Sequence, residues 1–137
     1  MEKKQRSLRQ VAFQVFYELS SDIIMRTPVD TGYARGSWAA GINKTSLNWS
    51  GAPDRGGRST LGKVSSSTKS FQLGDTLYLG SNLEYMSVLE YGQYGTGAYA
   101  TSKTTRDGFS VQSPYGMVRV AIDNFGKNLE KAIKDEQ

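Results

Sequence analysis

The residue types that could do chemistry in this 137-residue chain are few: it has thirteen acids, no histidine and no cysteine. Lacking histidine removes the commonest general base and the commonest metal ligand. Lacking cysteine as well excludes ordinary zinc sites, disulfides and thiolate catalysis. Carboxylates remain. A calcium or magnesium site would need them clustered, yet they are scattered and no DxDxDG-like loop occurs. Glu84 and Glu90 are the pair that could flank a glycosidic bond. On a helix their separation turns through about 600°, which leaves the two side chains about 120° apart. That geometry does not suit a glycosidase.

Two glycine groups, Gly56-Gly57 and Gly95-Thr96-Gly97, raise a phosphate-cradling reading. Neither is followed by Lys-Ser/Thr or set between a strand and a helix, so loop flexibility explains them better. Lys44, Arg55, Arg58, Lys63 and Lys69, with Trp49 among them, could hold nucleic acid by charge and stacking. A solvated loop, or one that docks on an acidic protein, fits the same residues. No catalytic group, metal site or cofactor is expected, and the chain reads as a non-enzyme.

These residues are positioned by a simple order of elements. Leu8, Val11, Ala12, Val15, Phe16, Leu19 and Ile23 recur at spacings of three and four, predicting a core-packing helix from Lys3 to Arg26. Pro28 ends it by forcing Thr27 out of helical geometry. Asp30 or Thr31 can cap a short helix in the following GYAR, which Gly36 ends. Ser37–Ile42 and Thr76–Ser81 read as strands, and Asn82 as the cap of a short helix through Tyr91. Val118, Ala121, Ile122, Phe125, Leu129 and Ala132 form the stripe of a last helix, with Pro114 in its first turn. Between them lie two long polar stretches, 43–70 and 93–113. The first holds five cations against Asp54 and is expected to be a loop, with a hairpin returning through Phe71 and Leu73. The aromatics Tyr94, Tyr99 and Phe109 of the second fit a contact surface or the edge of a core. The expectation is one α+β domain over 1–137: a small antiparallel sheet packed by a long N-terminal and a long C-terminal helix.

Composition adds limits. Hydrophobic residues make up 37 % of the chain and glycines number 15, so part of it should lie outside the core, with neighbouring subunits supplying burial. The net charge of +4 permits an acidic partner without requiring one. No leader opens the sequence and no apolar run nears the ~20 residues that span a bilayer. A soluble protein made in the cytoplasm is expected.

Three blocks carry a resemblance. TPVDTGYARGSW follows the first helix, GSNLEYMSVLEYG follows a strand, and SPYGMVRVAIDNF opens the last helix. Their order resembles the head–tail joining proteins of long-tailed bacteriophages, also described as neck or tail-completion proteins. The resemblance implies a structural virion protein that joins or seals capsid and tail. It implies a homo-oligomeric ring, six-fold rather than twelve-fold, between head-connector and tail-terminator or tail-tube proteins. DNA would pass through without sequence-specific contact, and no membrane would be involved. The motif positions carried over are Val29, Asp30, Thr31, Gly32, Arg35, Ser37, Tyr85, Leu89, Glu90, Tyr91, Gly92, Gly116, Arg119 and Ala121. Candidate interface residues are Trp49, Arg55, Arg58, Lys63, Tyr94, Tyr99 and Phe109. A DNA-contacting module using residues 44–69 is the alternative.

Arg35, Glu90 and Arg119 are charges set in apolar or tightly turned segments. Glu90 is expected to pair with Arg35 or Arg119 and so tie the two short helices to the last one; exposed, unpaired charges are the competing reading.

Overall fold

The computed structural model describes residues 7–29, 32–45, 47, 49, 52–83, 86–92, 109–110, 112–113 and 115–136. Asp30, Thr31, Glu84, Tyr85, Tyr94, Tyr99 and Pro114 lie outside them. The elements are α1 (Leu8–Arg26), α2 (Tyr33–Gly36), β1 (Trp38–Ile42), α3 (Arg58–Ser67), β2 (Leu77–Ser81), α4 (Met86–Tyr91) and α5 (Val118–Glu136). The α+β expectation is met. Among the described residues no helix is long and apolar enough to cross a membrane.

Helix α1 starts at Leu8 rather than Lys3. Ser7 caps it: its hydroxyl accepts from the Gln10 N–H at 3.2 Å, and the Gln10 side chain accepts from the Ser7 N–H at 3.0 Å. This reciprocal pair satisfies two backbone donors that the first turn leaves unmade. The apolar stripe is only partly used. Ser20, Ile23 and Ile24 are buried, whereas Leu8 and Val11 face outward. The C-terminal half of α1 is therefore the part in the core.

β1 and β2 form a two-stranded antiparallel sheet running from Trp38 opposite Ser81 to Ile42 opposite Leu77. Asn43 closes its far end at a positive φ of 59°. Its N–H donates to the Thr76 carbonyl, and its side chain accepts from the Thr76 N–H and donates to Asp75. Phe71 and Leu73 are not part of a strand: Phe71 is buried in the approach to β2 and Leu73 is exposed.

The stretch 43–70 is not one long loop, because α3 occupies ten of its residues. The inward side of α3 carries Thr60, Leu61 and Val64, continued by Thr68 just past its end, a spacing of one, three and four. Two of these four are threonines, which conceals the stripe from a hydrophobicity reading. Burial is tolerable because each hydroxyl donates, Thr60 to Asp54 at 2.7 Å and Thr68 to the Val64 carbonyl at 2.7 Å. α3 packs on β1, and α1 lies against both α3 and α5. The core joins Ile23, Ile24, Trp38, Ala40, Val64, Met86, Leu89, Met117 and Ala121. In α5, Ala121 turns inward and Ile122, its neighbour on the expected stripe, is exposed.

Candidate functional site

The three sequence blocks meet around the end of α1, and backbone polar groups dictate how. Helix α1 ends at Arg26, so its last carbonyls need donors. Arg35 supplies them. Its guanidinium donates to the carbonyls of Met25 at 2.9 Å, Thr27 at 3.3 Å and Arg55 at 2.8 Å. One side chain thus ties α1, α2 and the segment before α3. Burial pulls the Arg35 pKa down and the nearby Asp54 charge opposes that pull. Glu90 is not its partner.

Thr27 is fully buried and works in both directions. Its hydroxyl donates to the Ile23 carbonyl at 2.9 Å and accepts from the Trp38 indole N–H at 2.9 Å. Trp38 therefore anchors the start of β1 to the end of α1. Ser37 donates to the Ala34 carbonyl at 2.6 Å, and its hydroxyl lies 2.6 Å from that of Ser81, across the first pair of the sheet. Gly32, not Asp30 or Thr31, occupies the N-cap position of α2, with φ 97° and no side-chain cap. A side chain there would meet the Arg55 N–H at 2.7 Å, so the backbone crossing at this point requires glycine.

Asp54, unnoticed as a functional residue in the sequence, caps α3. It accepts from the Gly57 N–H at 3.1 Å, and from the Thr60 N–H and hydroxyl, each at 2.7 Å. Burial pushes its carboxyl up, but these hydrogen bonds and the Arg35 charge outweigh that and hold it below the usual carboxylate range. The signal available in sequence was an aspartate just ahead of a glycine pair and a helical stripe.

Glu90 does for α5 what Asp54 does for α3. It is 6 % exposed. One carboxylate oxygen accepts from the N–H groups of Met117 at 2.7 Å and Val118 at 2.8 Å. The other accepts from the Arg119 N–H at 3.1 Å and its Nε–H at 3.0 Å. The Arg119 guanidinium also donates to the Glu90 carbonyl and stacks 5.0 Å from the Tyr91 ring centre. Burial alone would raise the Glu90 carboxyl; the four donors outweigh it and lower the pKa. Gly116, at φ 91°, lets the chain pass, since a Cβ there would meet the Glu90 carbonyl at 2.6 Å.

The entry to α5 is clasped back to the exit from α1. The Gln112 amide accepts from the Val29 N–H and donates to the Val29 carbonyl, both at 2.7 Å. The Ser113 hydroxyl donates to the Arg26 carbonyl. Neither residue carried a signal in the sequence, because an amide 83 positions away has no local pattern.

The remaining expected residues divide. Leu89 is core. Gly92 turns the end of α4 at φ 67°, against the Phe109 ring. Trp49, expected at an interface, is half-buried and donates its indole N–H to the Gly80 carbonyl at 3.3 Å. Arg55, Arg58 and Lys63 are exposed. Among the described residues no group of three His, Cys, Asp or Glu could hold a metal ion. Comparison with protein-family models, curated proteins and solved structures finds no match.

Proposed function

We propose that this chain is a structural virion protein of the head–tail junction of a long-tailed phage, joining or sealing capsid and tail as one ring of the connector. A six-fold homo-oligomer is the assembly favoured, set between head-connector and tail-terminator or tail-tube proteins. The observation that carries the reading is where the motif charges are spent. Among the described residues of the motif blocks, Glu90 is the buried acid and Arg35 the less exposed arginine; they bind backbone N–H and C=O groups, and each joins elements far apart in sequence. Side chains committed in this way hold a frame: four hydrogen bonds fill the two carboxylate oxygens of Glu90, and three of the five N–H groups of Arg35 go to backbone carbonyls. The three blocks, whose residues and order resemble those of neck proteins, support the same reading.

A frame that assembles needs contact surface. Tyr33, Tyr91 and Tyr115 follow or precede Gly32, Glu90 and Gly116 directly in the chain and are 50 %, 59 % and 74 % exposed. Large aromatics are enriched at protein interfaces, and these three fit contacts to neighbouring subunits or rings.

The test is electron microscopy of particles made without this protein. Filled heads and separate, finished tails are expected. Normal joined particles would overturn the proposal.

A further inference from the structure

The outward side of α3 is a band of cations and small polar residues. Arg58, Ser59, Gly62, Lys63, Ser66 and Ser67 are all exposed, and they cover about 180° of the helix surface at 100° per residue. Arg55 extends the band before the helix. Lys44 extends it beyond, sharing a surface groove with Ser67 and Ser70. Among the described residues, none of Lys44, Arg55, Arg58 or Lys63 is in an ion pair. The acid that balances them in sequence is Asp54, and its carboxylate is turned to the first turn of α3. The positive charge of this face is therefore uncompensated by its own segment.

We infer that this face binds the sugar–phosphate backbone of double-stranded DNA without reading sequence. The inference does not depend on the assembly role proposed above. Three observations favour DNA over an acidic protein. The band has hydroxyls between its cations, and Lys, Arg and Ser side chains together are the usual phosphate donors. Its helical part, Arg58 to Ser67, exposes no large apolar side chain of the kind protein interfaces centre on: Val64 is buried, Leu61 is half-buried, and of the flanking aromatics Phe71 is buried and Trp49 is half-buried and bonded to Gly80. Its length also fits. Ten residues of helix extend about 15 Å, roughly the rise of four base pairs along a duplex axis at about 3.4 Å each, and Lys44, Arg55, Arg58 and Lys63 offer one phosphate contact apiece. Gly62 has open space at its Cβ position, so the helix surface can approach a phosphate closely. With Trp49 held, the band has no free aromatic side chain to stack on a base, and contacts from its cations and hydroxyls to phosphate carry no sequence information.

The test is fluorescence anisotropy of the full chain with a labelled duplex of arbitrary sequence at several salt concentrations. Four phosphate contacts predict a slope of log K against log salt of about −3.6, or about 150-fold weaker binding for a fourfold rise in salt. Arg58→Gln with Lys63→Gln should halve that slope to about −1.8. Lys127→Gln, on α5, should leave it unchanged, and circular dichroism of each variant confirms an intact fold. Affinity should be equal for AT-rich and GC-rich duplexes. No binding at low salt, a slope near zero, or an unchanged slope in the double variant with its fold intact would each overturn the inference. So would tighter binding of polyglutamate than of a duplex of equal charge, which would assign the face to an acidic protein.

Discussion

Replacing Glu90 by alanine removes the acceptor for three backbone N–H groups and one guanidinium N–H at once. The Met117 N–H is buried, and leaving such a donor unpaired costs about 1–3 kcal/mol. The Val118 and Arg119 N–H groups are only partly buried, so water can replace part of what they lose. Their share is that of a lost N-cap, about 1 kcal/mol. The total is about 3 kcal/mol. Arg119 is different, because its side chain is 53 % exposed and its ion pair is screened by solvent. Arg119→Ala should cost about 1 kcal/mol. Glu90→Gln should fall between, since its one oxygen can still serve Met117 and Val118 while its amide group faces the donors of Arg119. Urea denaturation of the three variants measures this order. In thermal unfolding each kcal/mol corresponds to about 3–4 °C for a domain of this size, so Glu90→Ala should melt about 10 °C lower. If Arg119→Ala destabilised as much as Glu90→Ala, the ion pair and not the helix cap would be the main contribution, and the reasoning would fail.

Other substitutions probe the same frame. Asp54→Ala should cost about 1–2 kcal/mol by uncapping α3, and amide exchange should show the loss in residues 57–61 first. Thr27→Val keeps the shape but orphans the Trp38 indole N–H, so a loss of about 1–3 kcal/mol and a shifted tryptophan emission are expected. Gly116→Ala should cost about 2 kcal/mol, because its φ is 91° and the added Cβ presses on the Glu90 carbonyl. Acid should unfold the protein through Asp54 and Glu90, both held below their ordinary pKa. Their contribution is complete above about pH 4–5, where the unfolded chain is also ionised, and is lost as pH falls through the lower folded values. Urea titrations across that range should show a shallower acid loss in the Asp54→Asn, Glu90→Gln variant than in the parent protein.

Local patterns determined a good part of this protein from sequence alone. Apolar residues at spacings of three and four mark α1 and α5, and Pro28 marks the end of α1, because helix periodicity and proline geometry act within a few residues. The alternation around β2 and the absent histidine and cysteine are equally local facts. The special character of Glu90 and Arg35 was legible too, since charges in tight apolar turns must find partners somewhere. Which partners was not. Glu90 takes the N–H groups of α5 and Arg119, while Arg35 takes carbonyls at the end of α1 and before α3. Helix α3 was hidden because half of its inward stripe is threonine, whose hydroxyls find partners only once the chain is folded. The exposed faces of Leu8, Val11 and Ile122 were hidden for the converse reason: a helical stripe states which side is apolar, not how far the neighbouring elements cover it. Hydrogen-bond partners 20 to 87 positions apart follow from how α1, α3, α4 and α5 are packed, and only the tertiary structure decides that.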